Sequence, residues 1–547
     1  MKTKVKPRAR KVIGFLLALL FTAAIPFSTV ASAASGQDQQ DFLTQFSKSD
    51  LAKSLRPHGS KGPIRHAPVD KTLPQYYGAP ATADPIDPIV VPQHPYLAEE
   101  GRNGMHGNSY NTGSYNYDAP LGKNPVVKSQ AFNTVGGEVA NVQFDSKGRA
   151  IAVSGGFAGF RLLLLDPDSL EILAEHDLPQ RASTIKFLKT LDFSYISSDT
   201  SGGAYFTLLK GDRPLIGNAD NVIQIFKIDD SGNKPKWTVE KEYDVSKDLP
   251  EGSYITAVIP DYQGNYWFVT RYGQVGYVDP STGKSHVITL KNEEIQNAFV
   301  TDSEGVYIVS DHAQYKFNIG ANGNPSVTWR TEYDRGTSVK PGEIDQGSGT
   351  APTLLDVKDR KGKVHKLLGI TDNADGQINL VVYDRTNGKV ISTTPLFKDG
   401  ESCSENSLIA DGRSFVIENN YSPNGAGFLV SDPRSAPGVT RVDINADVTG
   451  ADVVWESQEA SNTTVPKLST KTGLIYLYTR VENKDIPKNA VAWYVTAISF
   501  RTGKTVFRVF TGTGRSWNNS YAPIVLGPNG TLYVGTFNGL VSVRDQG

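Results

Sequence analysis

Polar side chains gather in short runs along this chain, and each run suggests a different chemistry. Thr371-Asp-Asn-Ala-Asp375 places Asp372, Asn373 and Asp375 within one five-residue stretch. Such hard oxygen ligands would select calcium, although the spacing and closing Glu of an EF-hand are missing. Asx residues ahead of Gly376 read equally well as turn formers. Asp372 or Asp375, paired with Glu405 or Glu418, would make an acid–base carboxylate couple of the glycosidase type, which needs a separation of roughly 5–10 Å. His312 follows Asp311, so its imidazole could move protons with the carboxylate raising its basicity; an exposed surface histidine is the plainer reading.

Other residues are suited to holding a substrate. Arg271 and Arg480 carry planar forks that fit a carboxylate or another oxyanion, and serve inter-blade ion pairs equally well. Asn406 and Asn419 are amides beside Glu405 and Glu418, where they would bind ligand or knit blades together. Trp517, followed by Asn518 and Asn519, suits stacking on a sugar ring or capping the core. The chain has no Gly-x-Ser-x-Gly elbow, no His-Glu-x-x-His helix and no phosphate-binding Gly-rich loop.

The elements that position these groups follow from composition and repeats. With 547 residues, 38% of them hydrophobic and 21% charged, the chain can bury a large core. Its single cysteine, Cys403, excludes an internal disulfide and any Cys-rich metal cluster. Residues 1–33 read as a secretory signal peptide: a basic head to Lys11, an apolar stretch from Val12 to Pro26, and Ala31-Ser-Ala33 for cleavage. That stretch is too short to span a bilayer, so no membrane insertion is expected once the signal is cleaved. Cleavage removes six Lys/Arg and no acid, taking the net charge from −1 to −7. An exported, mildly acidic bacterial protein is expected, acting outside the cell as a monomer and binding no nucleic acid.

Residues 34–105 are a proline-rich arm, with nine prolines between Pro57 and Pro95. Prolines remove backbone donors and favour extended chain, so this is linker rather than domain, either wrapped on the body or mobile. Beyond it, a strand–turn–strand unit recurs, with turns such as Phe144-Asp-Ser-Lys-Gly148, Asp199-Thr-Ser-Gly-Gly203 and Thr301-Asp-Ser-Glu-Gly305. Their glycines lie 41 to 61 residues apart, and each permits a tight hairpin. Second turns, such as Asp279-Pro-Ser-Thr-Gly283 and Asp384-Arg-Thr-Asn-Gly388, give four strands per unit. The spacing predicts an all-β, eight-bladed β-propeller over residues 106–547, with seven blades as the alternative. The final unit has only three strands, so a segment at about 114–132 is expected to complete it and close the ring.

The run Ala497-Ile-Ser-Phe-Arg-Thr-Gly-Lys-Thr-Val-Phe-Arg-Val-Phe-Thr-Gly512 resembles the repeat of quinoprotein alcohol dehydrogenase-type (PQQ-like repeat) propellers, with weaker copies at Asp279–Lys284 and Asp384–Lys389. The resemblance implies the fold across most of residues 106–547. Enzymes of that family hold pyrroloquinoline quinone and calcium on the ring axis. Here Phe507 stands where a docking tryptophan would be, a vicinal cysteine pair is impossible, and no Cys-x-x-Cys-His exists for haem. A relative without PQQ or haem is therefore expected.

In a four-stranded blade, the loop leading into the inner strand and the loop between the second and third strands fall on one face and converge on the axis. All the polar runs above belong to those loops. The expected function is an enzyme, a hydrolase or lyase rather than an oxidoreductase, acting there on a sugar, uronate or lactone. Asp372, Asp375, Glu405, Glu418 and His312 would be its catalytic groups, and Arg271, Arg480, Asn406, Asn419, Trp517 and Asn519 its binding groups. The alternative is a non-catalytic module that binds a glycan or a protein across the same face.

Overall fold

A computed structural model describes residues 72–132, 138–156, 159–190, 195, 199–423, 434–461, 464–481, 484, 486, 491–514, 517–519, 521–537 and 539–546. The signal-peptide reading and the first half of the proline-rich arm fall outside them. Eight sheets, antiparallel within each four-stranded blade, form an eight-bladed β-propeller. Their inner strands are Glu138–Phe144, Thr207–Leu209, Ile255–Pro260, Val300–Asp302, Thr353–Lys358, Ile409–Asp411, Lys467–Ser469 and Ile524–Leu526, for blades one to eight. Among the described residues, Ala182–Thr190 is an α-helix, placed between blades one and two.

Packing explains the strand pattern. A middle strand such as Leu474–Arg480 is buried on both faces, since neighbouring blades cover each side. An outermost strand such as Lys236–Asp244 is largely exposed and buries only isolated residues such as Trp237 and Tyr243. Between blades five and six, Leu355, Leu367, Leu380, Leu408, Phe415 and Ile417 form one continuous core.

Blade eight takes its outermost strand from Pro125–Ala131, which pairs antiparallel with Gly539–Asp545 at the register Val127 to Val543. Nearby Ser114–Tyr115 joins blade seven instead, parallel to its innermost strand. Blade seven also gains an outer strand, Tyr76–Gly78, and becomes six-stranded. Both additions cover edges that would otherwise present unpaired amides and carbonyls.

One hairpin differs from the sequence expectation. Asp199–Gly203 is not the inner turn of blade two; that turn lies between Leu209 and Arg213, at Gly211. Asp199 instead accepts the Ser201 amide at 2.9 Å and the Ser201 hydroxyl at 2.6 Å, a side-chain turn in the loop leading into the blade. The hairpin instead turns through Gly211 and Asp212, both at positive φ, and each segment carries the Gly and Asp that mark turns in sequence.

The described part of the arm is tied to the hairpin-turn face. Asp84 and Ile86 amides donate to Thr472 and Thr470 carbonyls, the Ile89 amide to Asp411, and Tyr96 Oη to the Gln263 carbonyl. The chain then turns inward along the inner strands. Leu208, Leu354, Ala410 and Leu468 amides donate to the carbonyls of Asn103, Tyr110, Thr112 and Gly113. Segment 103–113 therefore crosses the interior of the ring.

Candidate functional site in the axial cavity

Where the lead-in loops converge there is a cavity of about 200 Å³. Glu138 and Ala140 border it from blade one, Arg181 and Asp199 from the connection to blade two, and Tyr205 from the start of blade two. Gln296 and Asn297 precede blade four, Glu405 blade six, and Tyr521 blade eight. Met105 and His106 come from the segment crossing the ring. Sequence-distant groups thus meet because Tyr205, Asn297, Glu405 and Tyr521 each stand a few residues ahead of an inner strand and Glu138 begins one.

Local structure aims these side chains. A register shift between Val139 and Asn141 marks a β-bulge, which brings both Glu138 and Ala140 to the wall. Tyr521 adopts φ +65°, a region that L-residues seldom occupy, and its hydroxyl donates to the Gly342 carbonyl. Gln296 Nε2 donates to Glu405 Oε2, and Tyr205 Oη donates to Asn297 Oδ1 at 3.0 Å.

The electrostatics favour uncharged carboxyls. Burial pushes Glu138 up to about 8, partly offset by Arg181. Glu138 keeps some exposed surface because it borders the cavity, while protein encloses it on its other sides. Glu405 is held well above the ordinary carboxylate range by burial, then by Glu343 and Asp345. Burial likewise raises Glu343 to about 8 and Asp345 to about 6. His106 is pushed well below the usual imidazole value by burial and by the charge of Lys467, so it is neutral. Carboxyls that retain a proton near neutral pH can donate hydrogen bonds and act as general acids.

The sequence-selected residues divide into several places. Glu405 is at the cavity. Glu418 is buried close behind it, where its Oε2 accepts Asn406 Nδ2 at 2.7 Å; Asn406 also donates to the Thr464 carbonyl. Asn419 pins the loop ahead of blade six through the Glu401 and Pro437 carbonyls and the Cys403 and Tyr421 amides. Arg271 pairs with Asp345 at 2.6 Å and Glu294 at 2.9 Å. His312 Nδ1 lies 2.9 Å from Asp311, which also takes Arg335 at 2.6 Å. That pair borders a separate surface cleft of about 490 Å³ shared with Tyr272, Glu293 and Glu294.

Asp372 accepts the Asn379 amide at 2.7 Å, Asn379 Nδ2 at 2.8 Å and the Ala374 amide at 3.3 Å. Asn373 Nδ2 donates to the Arg335 and Ser338 carbonyls, and exposed Asp375 accepts the Thr337 amide. Among the described residues, no group of three or more His, Cys, Asp or Glu is placed to hold a metal ion. Trp517 covers Gly512, where an added Cβ would meet the indole at 2.2 Å. Asn519 donates to the Ala522 carbonyl, and Arg480 pairs in register with Trp493. Neither these three nor His312, Arg271 and Asp372 border the axial cavity.

Sequence reasoning missed Glu138, Arg181, Asp199, Tyr205, Tyr521 and His106. Glu138 had a usable signal: it immediately precedes the first inner strand's apolar core, at the position where the lead-in loops converge. His106 had none, because its place depends on the path of the arm.

Fold and site together define an eight-bladed β-propeller with a polar axial cavity. No protein-family profile matches the chain. An uncharacterised protein of Archaeoglobus fulgidus is 27% identical over 324 residues, covering 54% of this chain; the chain spans 62% of that relative's length. Among solved structures, a quinohemoprotein alcohol dehydrogenase from Pseudomonas putida HK5 aligns at 12% identity and TM-score 0.49, over 81% of this chain and 80% of that one. A virginiamycin B lyase from Staphylococcus aureus aligns at 11% identity and TM-score 0.36, over 77% and 99%. No chemistry for this chain follows from overlaps that low.

Proposed function

We propose that the protein is an exported enzyme that acts by general acid–base catalysis on a small, oxygen-rich substrate held in the axial cavity. The observation that carries this reading is the convergence of two protein-enclosed carboxyl groups, Glu138 of blade one and Glu405 ahead of blade six, onto one polar cavity. Each is displaced upward in proton affinity, as acids that work near neutral pH require. The cavity volume equals the liquid share of roughly six or seven waters, which suits a single sugar-sized ring. Export is supported by the basic, apolar and Ala-Ser-Ala pattern of residues 1–33.

The test is turnover by the purified chain on a panel of glycosides, uronides and lactones, with Glu138→Gln and Glu405→Gln alongside. Loss of about a hundredfold or more in kcat for either variant, with folding intact, is expected for a general acid or base. Unchanged kcat in both variants would overturn the reading.

A further inference from the structure

Three side chains at the cavity share one arrangement. Asn297 is anchored through Oδ1 by the Tyr205 hydroxyl, and its Nδ2 has no hydrogen-bond partner. Gln296 is anchored through Nε2 by Glu405, and its Oε1 has none. His106 is anchored through Nδ1, 3.5 Å from Lys467 Nζ, and its Nε2 has none. All three are more than nine-tenths buried, at 6%, 5% and 3% exposure. All three residues border the cavity, and an unsatisfied buried polar atom costs about 1–3 kcal/mol, a cost that a ligand reaching these atoms would relieve. Anchoring one end of each side chain fixes the direction of the other, which is how a recognition site is organised in advance.

The set mixes functions. Asn297 Nδ2 is a donor and Gln296 Oε1 an acceptor. His106 Nε2 donates or accepts according to the ring tautomer, as a hydroxyl partner allows. A hydroxyl group gives and takes one hydrogen bond at the same atom, so vicinal hydroxyls answer such a set, while a carboxylate only accepts.

Charge points the same way. The one cation bordering the cavity among the described residues is Arg181, which is 3.6 Å from Asp199, donates to the Ser201 carbonyl at 2.9 Å and stacks on Phe160 at 4.5 Å. Its attractions are already engaged. An arriving anion would find Asp199 already holding Arg181 and, among the described residues that border the cavity, no uncommitted positive group.

Taking the axial cavity as the working site, as proposed above, we infer that it selects a neutral, polyhydroxylated ring, an uncharged sugar, over the corresponding uronate. Asn297, Gln296 and His106 bind its hydroxyls, and the prior engagement of Arg181 leaves a carboxylate without a counter-charge.

Isothermal titration of the full-length protein with glucose, galactose and xylose, and with glucuronate and galacturonate, tests this. A neutral sugar is expected to bind at least about tenfold more tightly than its uronate, a difference of about 1.4 kcal/mol. Asn297→Ala and Gln296→Ala should each weaken the neutral sugar by about tenfold. Equal or tighter uronate binding, no binding by any neutral sugar, or wild-type affinity in both variants would overturn the inference. The wild-type comparison stands even if a variant fails to fold. Sugar binding without turnover would end the enzymatic reading and leave the neutral preference intact; turnover of a uronide would do the reverse.

Discussion

Lys467 Nζ lies 3.5 Å from His106 Nδ1, and both side chains are buried between the ring and the segment that crosses it. Burial lowers Lys467 to about 7, and the Glu418 charge pulls it back upward. A lysine so enclosed depends on its carboxylate. Glu418 is itself held well above the usual carboxylate range by burial, so removing either group leaves the other buried without its electrostatic partner, at a cost of about 1–3 kcal/mol. Glu418→Gln and Lys467→Met are each expected to destabilise in that range, and the double variant by less than their sum. Urea unfolding of the four proteins measures the coupling; strict additivity would show that the two charges do not interact.

Glu138 links the cavity to pH. Its proton affinity is raised to about 8, against an unfolded carboxylate near the ordinary value of about 4.3. A carboxyl raised on folding contributes stability at low pH and loses it as pH climbs through the window between those values, because the unfolded chain gives up the proton first. Glu138→Gln should therefore match the wild type near pH 4 and exceed it by about 1–3 kcal/mol at pH 8–9. Thermal melting across that range decides it, and parallel curves would remove Glu138 as the source.

Arg385 is 1% exposed and joins three parts of the fold. It pairs with Asp302 at 2.9 Å and Asp356 at 2.8 Å, and Nη2 donates to Tyr110 Oη at 3.0 Å beneath the crossing segment. Arg385→Met is expected to cost about 3–5 kcal/mol by stranding two acids. Arg385→Lys should recover little, since a single ammonium cannot span partners that a planar fork reaches together. Denaturant midpoints of the two variants provide the check.

Blades eight and one approach closely at Gly535. A Cβ there would stand 1.9 Å from the Val139 carbonyl oxygen in blade one. Backbone cannot yield to that contact without separating the blades, so Gly535→Ala should destabilise by about 3 kcal/mol or more. Gly148→Ala is the informative partner, because a methyl there would meet no atom within 4 Å and its φ of +78° alone is at issue. It should cost about 1–2 kcal/mol. Similar losses in the two variants, measured by melting, would refute the close-approach explanation.

Architecture was legible in the sequence because hairpin glycines recur at blade spacing. Gly148, Gly264, Gly362, Gly412, Gly473 and Gly530 all take positive φ at hairpin turns. Blade two escaped because Asp199-Thr-Ser-Gly-Gly203 has the Asp-to-Gly form of the other inner turns, while the true turn, Lys210-Gly-Asp212, is shorter and lacks it. The face was legible too, and Glu405 stands at the cavity as its position ahead of an inner strand suggests. Which polar groups reach the axis was not. Arg271 and His312 lie on loops of the same face, yet their reach ends at Asp345, Glu294 and Asp311. Asp372 is likewise taken up by its own hairpin. Residue type cannot tell a carboxylate that closes a turn from one that borders a cavity; only the neighbouring blade decides.

The crossing segment imposes an order of assembly. His106 is synthesised before every blade, yet the lysine beside it, and the amides of Leu468 and Thr470 that grip the same stretch, belong to blade seven. The floor of the cavity cannot be fixed in place until blade seven has emerged, so a nascent protein carries its histidine unseated while the first six blades form.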